Sequence, residues 1–469
     1  MTTQRRIVIV GGGVSGLATA YFLRRLGGPD LQITLIEGSD RLGGKVRTRE
    51  IAGHSVDVGP DAMLVRVPAM ASLVEELGLV DGVVTPGHRD AFVWSRARLR
   101  RLPPSNLFGV PQKVFQLLRS GLLSPVGVLR AAADLVLPRR RPVPGEDLSV
   151  GELLRPRLGS EVFERLVDPL LGGIHAGRAD LLSARSAVPE VEALTRSSRS
   201  IYLGTRARRV PVQAGPALVG LDGGLTHLID ALTTASDCAV ELGRRVDTLS
   251  RDGSEYLLRL CGGRIIEADA VVLATPAFVT ARLLSGIAPA AAAAAVEVPY
   301  ADVAVTILAY PRDALPRELD GTGFLVPPSE GLLLVGCSWL STKWPHLRDP
   351  ATVLIRAMVG RHGDTRFTEL SDDELVERVH GELVLTMGLT GRPVEAIVQR
   401  WPKAMPQYTV GHQSLVDRID ASLAEVPRLV VTGAGYRGVG LASCVTQARR
   451  TAMDVLDRLG APQAAGASA

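Results

Sequence analysis

Cysteine and aromatic residues are scarce in this chain of 469 residues: four cysteines, and only 4% Phe, Trp and Tyr. Cys238, Cys261, Cys337 and Cys444 are scattered, with no Cys-x-x-Cys pair. That argues against a disulfide scaffold, a zinc site or an iron–sulfur cluster, so no metal is expected and a reduced cytosolic setting fits. The few aromatics are not interleaved with the basic clusters as in an RNA or single-strand binder, so no nucleic-acid partner is expected. No uninterrupted apolar run reaches the length of a membrane span. Nor does a charged and then apolar leader precede the first strand-like run. A cytoplasmic protein with no integral membrane segment is expected, at most peripheral to a membrane.

Acidic residues nearly balance basic ones, leaving a net charge of +4. Arginine supplies most of the excess, in clusters: Arg96, Arg98, Arg100 and Arg101; Arg139 to Arg141; Arg206, Arg208 and Arg209. These read as solvated faces or, functionally, as contacts for an anionic small molecule. The length suits two or three domains.

What the chain has in plenty is glycine, at telling places. In "RIVIVGGGVSGLATAYFLRRLG" the β-branched run Ile7-Val8-Ile9-Val10 reads as a strand buried on both faces. Gly11, Gly13 and Gly16 follow at G-x-G-x-x-G spacing, with Val14 and Ser15 opening a helix-compatible stretch that Gly27-Gly28-Pro29 stops. Gly11 permits a tight turn, Gly13 lets backbone approach a pyrophosphate, and Gly16 lets helix and strand pack closely. A second strand-like run, Gln32 to Ile36, ends in Glu37 and Gly38, where an acid can accept ribose hydroxyls. The unit is a dinucleotide site; by itself it does not choose between NAD and FAD.

Three later features favour FAD. Arg41 and the flexible cationic loop Gly43-Gly44-Lys45, closed by Gly59-Pro60, would let backbone lie against phosphate and ring. Val246 is a candidate for backbone contact to adenine, and the buried strand in "IIEADAVVLATPAF" exits at Ala274-Thr275. A second glycine-rich strand-to-helix junction, Gly433 with Gly438-Val439-Gly440, would aim another helix N-terminus at a flavin and stabilise negative charge on its reduced ring. Residues 81–189 read as a mainly helical insertion. Its Leu-rich faces suit a core, and its basic amphipathic surface leaves contact with a membrane or a greasy anion open. From about 284 the pattern turns to alternating strands. The tail from Ala461 is expected to be disordered.

On "GGGVSGLATAYFL", "DRLGGKVRT", "VFERLVDPLLGGIHAG", "LDGGLTHLIDAL", "GTGFLVP", "STKWP", "RWPKAMPQYTVGH" and "GAGYRGVGLASC", the chain resembles the FAD-dependent porphyrinogen oxidases of the flavin amine oxidase-like superfamily, over nearly its full length. The resemblance implies an α/β fold in three parts. These are a discontinuous Rossmann-type (GR2-like) FAD domain (1–60, 215–283, 424–460), a sheet-based substrate domain (61–80, 190–214, 284–423) and the helical insertion (81–189). It implies oxidation of coproporphyrinogen III or protoporphyrinogen IX, with O2 as acceptor giving H2O2, in heme biosynthesis. Solubility and the arginine clusters lean towards the tetra-acid. The implied partners are a tetrapyrrole and O2. Transient contact with a ferrochelatase and a monomeric or homodimeric state stay open.

Matching motifs also imply roles. Leu325 and Trp344 would sandwich the macrocycle, with core packing as the alternative for each. Gly173 would present a backbone carbonyl near the reacting carbon. His175 would polarise a pyrrole N–H or a propionate, or be structural; it stands where the family usually has Tyr. Arg178 stands where an acid is common. Arg66, Arg206 and Arg208 are propionate candidates through bidentate guanidinium contacts, or simply solvated. The basic residue that often follows Arg66 in the bacterial branch is absent. Arg41 would meet the FAD phosphates, His412 would be structural, and Cys444 a buried packing residue. An amine oxidase or carotenoid-type desaturase would predict an aromatic cage at the last glycine junction or a more membrane-like composition. A non-catalytic flavoprotein is the remaining alternative.

Overall fold

The computed structural model describes residues 4–104, 106–111, 114–138, 143, 145–207 and 217–460. Arg139–Arg141, the propionate candidate Arg208, Arg209, and the tail 461–469 lie outside the described residues.

The β-branched opening run forms the middle of a parallel five-stranded sheet, in the order Ala239–Glu241, Leu31–Ile36, Arg5–Val10, Ala270–Leu273, Leu429–Val431. Its residues alternate between two cores. Ile7 and Ile9 pack with helices Val14–Gly27, Thr226–Ser236 and Leu441–Leu459. Val8 and Val10 pack on the opposite face with the antiparallel sheet Val246–Asp252, Glu255–Leu260, Ile265–Ala268 and with three helices, Ala277–Leu284, Pro289–Val296 and His412–Ala424. A strand covered on both faces has no polar side to show, which is why the run is continuously apolar.

A second sheet of seven strands runs in the order Glu395–Pro406, Tyr300–Pro311, Thr352–Val359, Leu334–Trp339, Gly323–Leu325, Phe92–Trp94, Leu99–Arg101. One face is closed by helix Asp372–Met387, which starts with a capping box between Ser371 and Glu374. The other face looks towards the dinucleotide domain. A third core belongs to the helices between Val114–Ser120 and Ile201–Ala207. Within it, a π-helical turn at Phe163–Val167 leads into helix Asp168–His175, which ends at Ala176 in a left-handed conformation (φ 48°).

Several segments pack with a different unit from the one the sequence suggests. The segment 81–189 is not helical throughout: Phe92–Trp94 and Leu99–Arg101 are edge strands of the seven-stranded sheet. Phe92 and Trp94 face the sheet core while Val93 faces the helices, so this strand joins both units. At the other end, helices Pro189–Ser197 and Ile201–Ala207 extend the helical unit past 189, with Val191, Ile201 and Tyr202 in its core. Residues 61–80, expected with the substrate sheet, put Met63, Met70, Leu73 and Val74 into the dinucleotide core. Likewise Pro289–Val296 and His412–Ala424 pack beneath the parallel sheet.

A buried ion pair ties the helical unit together. Arg157 meets Asp134 at 2.6 Å, and the same carboxylate accepts from Ser200 Oγ (2.7 Å) and the Tyr202 amide (3.2 Å). Asp134→Ala strands a buried guanidinium. Denaturant unfolding should show a loss of about 3–5 kcal/mol, with early proteolysis confined to this unit. Unchanged stability would contradict the assignment.

Candidate active site

The C-terminal ends of four parallel strands, at Gly11, Glu37, Ala274 and Gly433, open into a cavity of about 810 Å³ whose far wall is the seven-stranded sheet. Ligands of open α/β sheets bind at such strand ends.

Backbone meets backbone at the near wall. A Cβ on Gly16 would lie 1.9 Å from the carbonyl oxygen of Gly11, and one on Gly59 1.8 Å from that of Lys45. The two glycine loops also lock together: Gly13 bridges Gly43, and the Gly43 amide donates to the Gly12 carbonyl at 2.8 Å. Helices Val14–Gly27 and Leu441–Leu459 begin beside this wall, and neither receives a side-chain cap from its N-cap glycine. Their first-turn N–H groups are therefore available to an anion. By contrast Ser124, Ser149 and Ser371 cap helices elsewhere.

Glu37 accepts from the Gly12 amide (2.7 Å) and from the Ser39 amide and hydroxyl (2.8 Å each), which fixes its carboxylate at the cavity edge with lone pairs to spare. Burial holds the Lys45 ammonium below its ordinary pKa, a penalty that an anion in the cavity would relieve. The last junction is braced from outside. Tyr408 Oη donates to the Ala434 carbonyl (2.7 Å) and accepts from the Gly438 amide (2.6 Å), while His412 stacks on Tyr408 at 3.9 Å and bonds the Tyr436 carbonyl at 2.8 Å.

The cavity is lined by most of the expected cofactor residues: Gly11, Gly13, Val14, Ser15, Glu37, Gly38, Gly43, Gly44, Lys45, Gly59, Pro60, Val246, Ala274, Thr275, Gly433, Val439 and Gly440, with Cys444 beside them. Three others shape it from behind. Gly16 takes the close helix–strand contact, and Gly438 (φ 124°) turns against Ser443. Arg41 donates to the carbonyls of Leu42, Gly44 and Val46, so its guanidinium fastens the second glycine loop and does not face the cavity. Arg244, Arg245 and Arg282 also line the cavity. The first two were legible as the pair preceding Val246; Arg282, on the helix after Thr275, gave no signal.

Strand register sets the far wall. Leu325, Gly336, Met358, Val305 and Gln399 are successive cross-strand partners and so share one face. Val305 and Met358 line the cavity, and Leu325 lies at the edge of this row, where a Cβ on Gly173 would touch it at 3.0 Å. Gly172 and Gly173 line the cavity too.

Four expected substrate or catalytic contacts lie elsewhere. Trp344 is 3% exposed, packs against Gly220 and donates from Nε1 to Asp61 Oδ2 (3.2 Å), because the turn after helix Leu340–Lys343 drives it into the core. His175 is buried at the end of its helix; its carbonyl accepts from Gln407 Nε2 (2.9 Å), and its side chain does not line the cavity. Arg66 and Arg206 are exposed and outside the lining, the latter on a helix whose other face, Tyr202 and Thr205, is buried in the helical unit.

A family of flavin containing amine oxidoreductases matches residues 14–456. Coproporphyrinogen III oxidase of Bacillus subtilis is 33% identical, the alignment covering 97% of this chain and 99% of that protein. Coproporphyrinogen III oxidase of Mycobacterium leprae is 38% identical, covering 96% and 97%. A crystal structure from Exiguobacterium sp. 255-15, provisionally named a protoporphyrinogen oxidase, superposes with a TM-score of 0.87 at 31% identity, covering 98% and 100%.

Two outcomes follow from this geometry. Gly16→Ala should yield folded protein purified without yellow colour, since its methyl cannot clear the Gly11 carbonyl; normal flavin content would refute the close-contact argument. Burial also pushes the His175 imidazole down to about 4. Its contribution to stability is complete above the unfolded value near 6.5 and is lost as pH falls towards 4, by at most about 3 kcal/mol. Stability measured between neutral pH and about pH 5 should fall less steeply in His175→Gln than in the parent chain; identical slopes would count against it.

Proposed function

The chain belongs to the flavin containing amine oxidoreductase family, and from that premise we propose that it oxidises coproporphyrinogen III to coproporphyrin III, with FAD in the cavity and O2 as the final acceptor. The balance is three two-electron steps: six hydrogens leave the macrocycle and three O2 become three H2O2. FAD bound in the cavity would supply the hydride acceptor and the route for the electrons to O2.

The protein's own residues hold and position. The amides of the Gly11–Ser15 turn would hold the pyrophosphate, Glu37 would take ribose hydroxyls, and Val246 would meet the adenine. Lys45 and the amides at the start of helix Leu441–Leu459 would stabilise negative charge at the ring. The macrocycle lies against the row containing Leu325, Met358 and Val305, with the Gly172–Gly173 backbone along its edge.

One observation carries the reading. Apart from the cofactor-side groups, the charged side chains lining the cavity are Asp61 and Arg356. Asp61 is tied to Lys343 and Arg356, which keep its carboxylate well below the usual range, so it stays ionised and is no proton acceptor. A site with an apolar wall and no free acid–base pair among the described residues suits a substrate whose own pyrrole nitrogens push the hydride out, tautomerisation then bringing unsaturation back to one bridge carbon. It needs orientation and exclusion of water more than proton transfer. The last glycine junction presents Gly433, Ala434, Gly435, Val439, Gly440 and Leu441, none of them aromatic; the aromatic residues among the described lining, Tyr300 and Trp401, come from the seven-stranded sheet.

Purified FAD-loaded enzyme should turn over coproporphyrinogen III in air in preference to protoporphyrinogen IX, read by porphyrin fluorescence and by three peroxides per porphyrin. Preference for protoporphyrinogen would reassign the substrate. Turnover of neither would overturn the reading.

A further inference from the structure

Two cations share one carboxylate in the substrate half of the cavity. Asp61 Oδ2 accepts from Lys343 Nζ at 2.6 Å, and Asp61 Oδ1 faces Arg356 Nη1 at 3.2 Å. The Arg356 guanidinium is buried, donates from Nη2 to the Gly59 carbonyl, and has at Nε no hydrogen-bond partner among the described residues. A guanidinium has five N–H donors in a fixed fork; one is hydrogen-bonded to the Gly59 carbonyl, and Nη1 is ion-paired with Asp61. The next acid, Asp57, accepts from Thr48 Oγ1 and the Leu225 amide. Arg356 lies in the seven-stranded sheet two residues before Met358, with Ser338 and Ile307 as its cross-strand partners. It is thus a buried guanidinium in the lining of the cavity, held by a carboxylate it does not have to itself.

Resting on the proposed function, we propose that the Asp61–Lys343–Arg356 cluster reads the substrate's carboxylates: Arg356 takes a propionate, with Asp61 and Lys343 fixing its fork, and so sets the preference for a tetrapyrrole with four carboxylates over one with two. The exposed Arg66 and Arg206 are free to reorient and cannot impose such a geometric choice. Arg356 acts by binding and has no part in moving the hydride.

The test uses the stable oxidised tetrapyrroles as probes, so that it does not depend on turnover. Affinities of the FAD-loaded enzyme for coproporphyrin III and protoporphyrin IX are measured by fluorescence quenching, for the parent chain, Arg356→Met and Arg356→Lys. The parent should prefer coproporphyrin; Arg356→Met should lose at least about tenfold of that preference, the scale of a charge-assisted hydrogen bond, and Arg356→Lys should recover part of it. The flavin reduction potential is recorded alongside. A preference unchanged in Arg356→Met, or a shifted potential with both probes weakened equally, overturns the proposal in favour of a flavin-directed role. If Arg356→Met cannot hold FAD, Arg356→Gln, which keeps a donor for Gly59, reads the same ratio; FAD loss in both would make the residue a support of the cofactor site and also overturn it. A parent enzyme that binds neither porphyrin refutes the proposed function itself.

Discussion

The structure depends on bringing bare backbone against bare backbone where the two glycine loops meet. Gly16 sits on the Gly11 carbonyl, Gly59 on that of Lys45, and Gly44 beside Gly13, with no space for a Cβ at the first two and little at the third. These contacts hold the first helix close to its strand and the second loop close to the first, leaving first-turn amides facing the cavity with no side chain between. Binding by oriented backbone dipoles requires this closeness, because the field of a helix end fades within a turn. The outer residues serve it. Arg41 clamps the second loop through three carbonyls; Tyr408 clamps the last junction through the Ala434 carbonyl and the Gly438 amide, and His412 through the Tyr436 carbonyl.

Such backbone constraints are legible in a sequence, since only glycine satisfies them. The dinucleotide strand, its turn, Glu37, the second loop and the distant C-terminal junction were all visible as spacing, and all line or shape one cavity. Side-chain contacts across domains were not. Whether Trp344 faces a ligand or Asp61 depends on how the turn after Lys343 meets the hairpin Thr48–Ile51/His54–Asp57 and its neighbour Gly220. Arg356 is one residue in an ordinary apolar strand, and only the register with Ser338 and Ile307 places it. The boundary of the helical unit was obscured for a similar reason. Phe92–Trp94 alternates correctly for a strand but serves two cores at once.

The two halves of the cavity differ in kind. The cofactor side is built of glycine and amides, which tolerate little substitution and say little about the reaction. The far wall is an apolar sheet face with one ionic cluster, Asp61 with Lys343 and Arg356, which also reaches the Gly59 carbonyl.

If the cavity brings a porphyrinogen against a bound flavin, hydride passes directly between them. The measurement to make is anaerobic mixing of the FAD-loaded enzyme with coproporphyrinogen III. The visible flavin absorption should bleach in a single turnover, with colour returning when O2 is admitted. Flavin that stays oxidised while the tetrapyrrole is bound would contradict it.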